Sequence, residues 1–274
     1  MRLWFLGVRG STAAPGADFV RYGGHTSCVG VVPSGAHRPT LVLDAGTGLR
    51  NLTARLEGDA YQGTIVLSHL HWDHVQGLPF FPGGDRDDSD VDVYVPAQDG
   101  MSGRDLLARS MSPPSFPITP DGLAGRWGFH ALEPEPFEAG GFRVAPFDVN
   151  HKGGRTYGFR VDEGDRSAAY LPDHRLSAGV SDEARALVRG VDVLIHNAQF
   201  LSTERTIADA YGHSTVDDVI AFAAEQSVGR LVLFHHGPGR TDDAIDRLVA
   251  ELDAPMPVTA AREGGELEVD GLTD

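Results

Sequence analysis

The feature that most constrains this chain is the run Ser68-His69-Leu70-His71-Trp72-Asp73-His74, set directly behind the largely apolar stretch Thr64-Ile65-Val66-Leu67. Histidine and aspartate cost free energy to bury unless they are paired, so packing alone gives no reason to gather them here. A divalent ion does. In an extended chain leaving a strand, residues two apart point the same way, which aims His69 and His71 at one ion. A turn at Trp72 then sends Asp73 and His74 towards a second point. Neutral imidazoles with carboxylate oxygens are the ligand set of Zn²⁺ or Mn²⁺, and not of Ca²⁺ or an iron–sulfur cluster.

A metal site needs further ligands, and strand ends are where loops can deliver them. Short apolar or alternating runs predict strands at Leu3–Leu6, Thr26–Val32, Leu41–Asp44, Ile65–Leu67, Val91–Val95, Phe129–Leu132, Phe142–Phe147, Thr156–Val161, Ser167–Leu171, Val191–His196 and Leu231–Phe234. Helices are expected at about 49–57 and 181–189, after His213-Ser214-Thr215, and from Asp242 to Leu252, the last two capped by Ser214 or Thr215 and by Thr241 or Asp242. His151 lies just past one strand, Asp173 past another and His235 past a third, so three more segments each offer a ligand type at a strand end. Residues 96–125 do not read as regular structure, apart from a possible short helix at Met101–Arg109, because Met111-Ser112-Pro113-Pro114-Ser115-Phe116-Pro117 breaks any element. An irregular insertion of this kind serves as a lid, a specificity loop or a dimer arm.

The remaining features narrow the function classes. Ala45-Gly46-Thr47-Gly48 has Asn51 where a dinucleotide fingerprint needs its third glycine, and reads as a turn. No Gly-x-Ser-x-Gly elbow appears, and Cys28, the only cysteine, sits within a strand run. A lone cysteine, no apolar run long enough for a membrane span and no signal peptide give a cytoplasmic expectation without membrane association. The formal charge of −16, with no Lys/Arg cluster, disfavours gripping a long polyanion. It leaves room for a small phosphate ester, since a metal centre carries its own positive charge.

The order His-x-His-x-Asp-His, then a histidine, an aspartate and a final histidine after strands, resembles the metallo-β-lactamase-fold metallohydrolases over nearly the whole chain. Arg21-Tyr22-Gly23-Gly24-His25-Thr26-Ser27-Cys28, Leu43-Asp44-Ala45-Gly46-Thr47-Gly48, Gly212-His213-Ser214-Thr215 and Leu233-Phe234-His235-His236 look like the branch holding ribonuclease Z and small phosphodiesterases. The resemblance implies an α/β (α+β) fold, a four-layer αββα sandwich, in one domain over residues 1–274 with the insertion at about 96–125. It implies a pair of divalent ions, Zn²⁺ or Mn²⁺, with His69, His71 and His151 on one, Asp73, His74 and His235 on the other, and Asp173 bridging. His74, which true class B β-lactamases generally lack, and His71, where flavodiiron oxidoreductases carry a glutamate, disfavour both of those groups.

Asp73 is expected to orient the attacking hydroxide while ligating, and His213 matches a histidine of the branch that resembles a general acid, poised to protonate the leaving alkoxide. Asn197 stands where relatives carry a carboxylate that orients that histidine. His236 remains an alternative to His235. His25, His37, His130, His174 and His196 read as loop, surface or structural residues. The expected activity is hydrolysis of a small or cyclic phosphodiester, a small-molecule partner, with a homodimer left open. The rivals are transfer-RNA 3′ processing, lactone or thioester hydrolysis on the same metals, and a metal-binding accessory protein with weak turnover.

Overall fold

The apolar runs become fourteen strands among the described residues, 1–271, of the computed structural model. They are β1 (Arg2–Gly7), β2 (Cys28–Val32), β3 (Leu41–Leu43), β4 (Gln62–Val66), β5 (Asp90–Pro96), β6 (Arg126–Leu132), β7 (Phe137–Ala139), β8 (Phe142–Asp148), β9 (Tyr157–Glu163), β10 (Arg166–Leu171), β11 (Val193–Asn197), β12 (Arg230–Phe234), β13 (Val258–Ala260) and β14 (Glu266–Glu268). One sheet has the order β14-β1-β2-β3-β4-β5-β6 and the other β13-β12-β11-β10-β9-β8-β7. Each sheet is an antiparallel meander that turns into a parallel array: β14 to β3 and β7 to β10 pair antiparallel, β3 to β6 and β10 to β13 parallel.

That pairing fixes where the strands end. β8 and β10 are both antiparallel to β9, so they run the same way, and β11 and β12 run with β10. β1 and β3 likewise share a direction, and β4 follows it. A parallel bridge between Arg9 and His236 joins the two sheets at this edge. The C-terminal ends of β1, β3, β4, β8, β10, β11 and β12 therefore open on one rim.

Period-two alternation sorts the side chains into layers. Leu41 and Leu43 face the second sheet, with Phe5 and Val31, against Phe159, Tyr170, Ile195 and Phe234. Val42, between them, points outwards with Leu6, Ile65 and Leu67 towards Leu52 of α1 (Arg50–Arg55) and Leu106 of a helix within the insertion. The outer face of the second sheet, Leu171, Leu194 and Leu233, is covered by Val188, Phe222 and Leu248 from three helices. The architecture is the αββα sandwich that the resemblance implied.

In chain order the other helices are α2 (Trp72–Val75), α3 (Gly103–Ala108), α4 (Asp182–Val188), α5 (Arg205–Tyr211), α6 (Val216–Glu225) and α7 (Asp242–Glu251). The caps settle between the alternatives: Thr241 accepts from Ala244 N, and Thr215 is paired with Asp218 in a capping box. The sequence reading did not resolve α2, β7, β13 and β14, which are too short for periodicity to separate from turns, nor the seven-residue α5. The strand expected from Val191 begins at Val193, because Asp192 is turned to accept Ser167 N and Oγ.

The insertion contains α3, which packs on β5 and β6. Its Leu107, Met111 and Phe116 enclose an apolar cavity of about 360 Å³ with Trp72 and Phe80. Its arginines are matched locally, Arg104 with Asp105 and Asp121 and Arg109 with Asp99.

Candidate metal centre

The rim gathers the expected side chains into two overlapping groups. His69, His71, His151 and Asp173 form one, and Asp73, His74, Asp173 and His235 the other, each with one ligand atom per residue lying within 4.8 Å of the rest. Asp173 belongs to both. Its Oδ2 lies 3.1 Å from His69 Nε2 and from His74 Nε2 and 3.6 Å from His151 Nε2. Its Oδ1 lies 3.1 Å from His235 Nε2. Asp73 Oδ2 is 3.1 Å from His235 Nε2 and 3.3 Å from His74 Nε2. His151 Nε2 is 3.3 Å from His71 Nδ1.

The donor set fits divalent ions on an internal criterion. His69 Nε2, His74 Nε2 and Asp173 Oδ1 are buried without a hydrogen-bond partner. A buried polar atom left unmatched costs about 1–3 kcal/mol, so several aimed at one point need a common partner. Cations shared among imidazoles and carboxylates are that partner.

Local folding explains how the ligands are aimed. β4 ends and Ser68 N donates to Asp44 Oδ1 at 2.7 Å, while Ser68 Oγ donates to Asp44 Oδ2 at 2.9 Å and lies 3.0 Å from His69 Nδ1. The next turn is α2, entered through His71 in extended conformation, which puts Asp73 and His74 on its inner side and leaves Trp72 74 % exposed. His74 Nδ1 lies 2.7 Å from Asp44 Oδ2, and Tyr170 donates its hydroxyl to the same oxygen at 2.8 Å. Asp44 thus fixes the His74 tautomer, with the proton on Nδ1 and the Nε2 lone pair free to ligate. Asp44 has φ 60°, a left-handed conformation that aspartate tolerates better than most residues.

His235 has φ 57°, and its ring lies where a Cβ on Gly10 would come within 2.1 Å, so Gly10 must be glycine. That turn separates His235 from its neighbour. His236 points away, with Nε2 3.0 Å from Ala261 O and its ring against Tyr22. Ser11, next to Gly10, donates its backbone N–H to Asp73 Oδ2 at 2.6 Å. Arg9, fully buried, ties this loop to the His235 segment by donating to Gly23 O, Gly237 O and Arg240 O.

Electrostatics separate the histidines. Burial, with the nearby His74, holds the His69 imidazole down at about 4, and burial with His151 lowers His71. Burial also opposes charge on His74, but Asp73, Asp44 and Asp173 outweigh it and raise its pKa well above the ordinary value. Burial would raise the carboxylates. For Asp73, His74 and His235 reverse that, and for Asp173, His235, His74, His151 and His213 do.

His213 completes the cleft wall: its Nδ1 is 3.5 Å from Asp173 Oδ1, and burial holds its pKa at about 3. Asn197 does not touch it. Its Oδ1 accepts from His174 N, at 3.1 Å, so Asn197 braces the backbone beside Asp173. His196 is buried structure, and His174, 3.2 Å from it, is its buried local partner and not a surface residue, while His37 is exposed and His130 sits on Asp92. His25 is loop structure, its Nδ1 3.1 Å from Thr47 Oγ1. Asp44, Tyr170 and Ser11 are contributions that the sequence reading did not assign. Asp44 stands at a strand end as Asp173 does, and that signal was available.

The model of the beta-lactamase superfamily domain matches residues 40–236. A ribonuclease Z of Bradyrhizobium diazoefficiens (strain JCM 10833 / BCRC 13528 / IAM 13628 / NBRC 14792 / USDA 110) is 29 % identical, over 79 % of this chain and 85 % of its own length. Among solved structures, the metallo-beta-lactamase fold protein YhfI from Bacillus subtilis superposes with a TM-score of 0.74 at 18 % identity, covering 97 % of this chain and 99 % of that one. A diphosphatase from the PhnP family superposes at 0.71 with 22 % identity, covering 100 % and 99 %. These superpositions establish the fold.

Proposed function

The chain belongs to the beta-lactamase superfamily, is a hydrolase of that fold, and, we propose, works as a single-domain, dinuclear metal-dependent phosphodiesterase on small or cyclic phosphodiesters. The observation that carries this reading is Asp173, which belongs to both groups of ligand atoms: its Oδ2 lies against His69, His151 and His74, and its Oδ1 against His235. In the reading, His69, His71 and His151 hold one ion, Asp73, His74 and His235 the other, and Asp173 spans them. Bound there, two divalent ions of the Zn²⁺ or Mn²⁺ kind would supply Lewis acidity, acidifying water and offsetting charge that develops at phosphorus. The phosphodiester class is supported by a ribonuclease and a diphosphatase among the similar proteins.

The chain's own groups do the rest. Asp73, kept ionised by His74 and His235 and oriented by Ser11 N, accepts a hydrogen bond from the attacking water and fixes its direction. His213 faces the leaving side. Its depressed pKa makes it neutral at rest, so to act as general acid it would take up a proton from solvent water when the anionic phosphate binds beside it and favours the imidazolium, and would then pass that proton to the leaving alkoxide.

Transfer-RNA 3′ processing is the second reading, favoured by the ribonuclease Z relative. Against it stand the −16 charge and an insertion whose Arg104 and Arg109 are already ion-paired. A screen of protein loaded with defined metals separates the readings, using bis(p-nitrophenyl) phosphate, cyclic nucleotides, a lactone, a thioester and a transfer-RNA precursor. Diester cleavage is expected; lactone or thioester turnover without it would move the assignment.

A further inference from the structure

The cleft over the paired ligand groups measures about 440 Å³. That is the size of a site for a nucleotide- or drug-sized ligand, roughly 300–1,000 Å³, and more than a phosphoryl group requires. Its outer wall is made by two segments held together. His151 Nδ1 lies 2.7 Å from Gly212 O, and Lys152 Nζ donates to Ala210 O at 3.0 Å. Gly212 has φ 82°, and a Cβ there would press on His151 Nδ1 and Lys152 N at 3.0 Å, so the join leaves no room for a side chain. The rim is therefore pre-formed.

Two side chains on it have no part in holding metal. Lys152 is the only lysine among 23 Lys and Arg residues, and it is exposed at the cleft mouth. One N–H of its ammonium group is used on Ala210, and two remain. Tyr211 lines the same cleft and is 58 % exposed, with Ile207, one helical turn earlier on α5, 46 % exposed. A large ring left in water at the mouth of a polar cleft is a stacking platform in search of a flat partner.

We propose that Tyr211 and Lys152 form a substrate-reading subsite, in which Tyr211 stacks a flat aromatic substituent of the phosphodiester and Lys152 pairs with its phosphoryl oxygen. The proposal rests on the phosphodiesterase reading. The aromatic group is a nucleobase or an aryl ester, and the substrates below distinguish them. Lys152 also satisfies a carbonyl at the C-terminal turn of α5, which is a structural role, so the test separates binding from stability.

The experiment uses metal-loaded full-length protein with three diesters: a cyclic nucleoside monophosphate, bis(p-nitrophenyl) phosphate, and the cyclic phosphate of glycerol, which has no ring to stack. Tyr211→Ala is expected to raise KM about 5–100-fold on one or both aromatic substrates and to leave the glycerol ester within about twofold. Tyr211→Phe should restore the aromatic KM. Lys152→Met should raise KM on all three, Lys152→Arg should recover most of it, and metal content and melting temperature should stay near wild type in both. An independent readout follows from the single lysine: amidination of Lys152, mapped by peptide mass spectrometry, should be slowed by a mononucleotide more than by inorganic phosphate, and Tyr211→Ala should erase that difference. Equal KM changes on all three esters for Tyr211→Ala, or no protection of Lys152 by the mononucleotide, overturns the subsite. Wild-type protein that cleaves none of the diesters overturns the reading beneath it instead.

Discussion

Asp44→Asn is the sharpest perturbation of this centre, because it changes one atom in a carboxylate that touches no substrate. Asp44 is fully buried and its oxygens take four contacts: Ser68 N on Oδ1, and Ser68 Oγ, Tyr170 OH and His74 Nδ1 on Oδ2. Asparagine keeps the shape and tolerates the positive φ, so no backbone strain is added. It offers one acceptor where two were used. With its NH₂ towards Ser68 N, two donors face each other across 2.7 Å and a buried amide loses its partner. With its NH₂ towards His74, the hydroxyls can rotate to accept, but the imidazole must move its proton to Nε2 and so block the ligating atom. The first arrangement costs about 2–3 kcal/mol of stability. The second costs metal affinity at the His74 position, about 10–100-fold, as second-sphere changes do. Urea unfolding of the metal-free protein and chelator competition on the loaded protein read the two terms. A variant within about 0.5 kcal/mol of wild type that also binds metal within about twofold would refute the tautomer argument, since surface-like neutrality is what a buried, four-contact carboxylate cannot show.

Three further outcomes are expected. Asp173→Ala should strip metal from both groups together, since Asp173 belongs to each; elemental analysis showing two ions per chain in wild type and one retained in the variant would contradict the shared position. His213→Ala should lower kcat about 10²–10⁴-fold for an alkoxide leaving group and far less for p-nitrophenolate, with metal content unchanged; small, equal losses on both would remove His213 from proton transfer. His196 is fully buried, and burial holds its pKa at about 4, below the ordinary 6.5, so the unfolded chain takes up the proton first. Its contribution is intact above about pH 6.5 and is lost as pH falls towards 4, about 3 kcal/mol in all, and His196→Gln should flatten that part of the urea-midpoint curve between pH 6.5 and 4.

The candidate ligands were legible in the sequence because the fold uses one rule for them all. Each follows an apolar run, and β8, β10 and β12 are forced by their pairing to end on the rim where β4 ends. A reader who knows only that strands end in loops finds His151, Asp173 and His235 without knowing the topology. What the same reader cannot find depends on contacts between segments far apart in sequence. The choice between His235 and His236 turns on Gly10, some two hundred positions away, whose missing side chain makes room for one ring. Asn197 occupies a position associated with orienting the catalytic histidine, yet its oxygen is taken by His174 N, a partner supplied by β10 and its following loop. Tyr170, an apolar-looking member of a strand, reaches across the sandwich to Asp44. Short elements escaped for a different reason: α2 has four residues and β13 three, less than two full periods of either pattern, too little to stand out from chance.

The charge distribution brings the two scales of the molecule together. A surface carrying −16 overall repels a long polyanion, and it does so along the full length of the strand that would have to lie on it. A small diester samples only the cleft, and charges more than about 8 Å away are largely screened at physiological ionic strength. Within that radius the balance turns on the ions: in the metal-free pocket the charged His74 is outnumbered by Asp73, Asp44 and Asp173, the carboxylates that hold it charged. Two divalent ions bound there would outweigh those carboxylates and reverse the local sign, and Lys152 adds a flexible cation at the mouth. The arginines of the insertion add nothing further, because their aspartate partners cancel them in place. On the phosphodiesterase reading, an acidic shell around a metal-loaded pocket would select by size: it would admit a small phosphodiester on local terms and give a long nucleic acid no surface to follow.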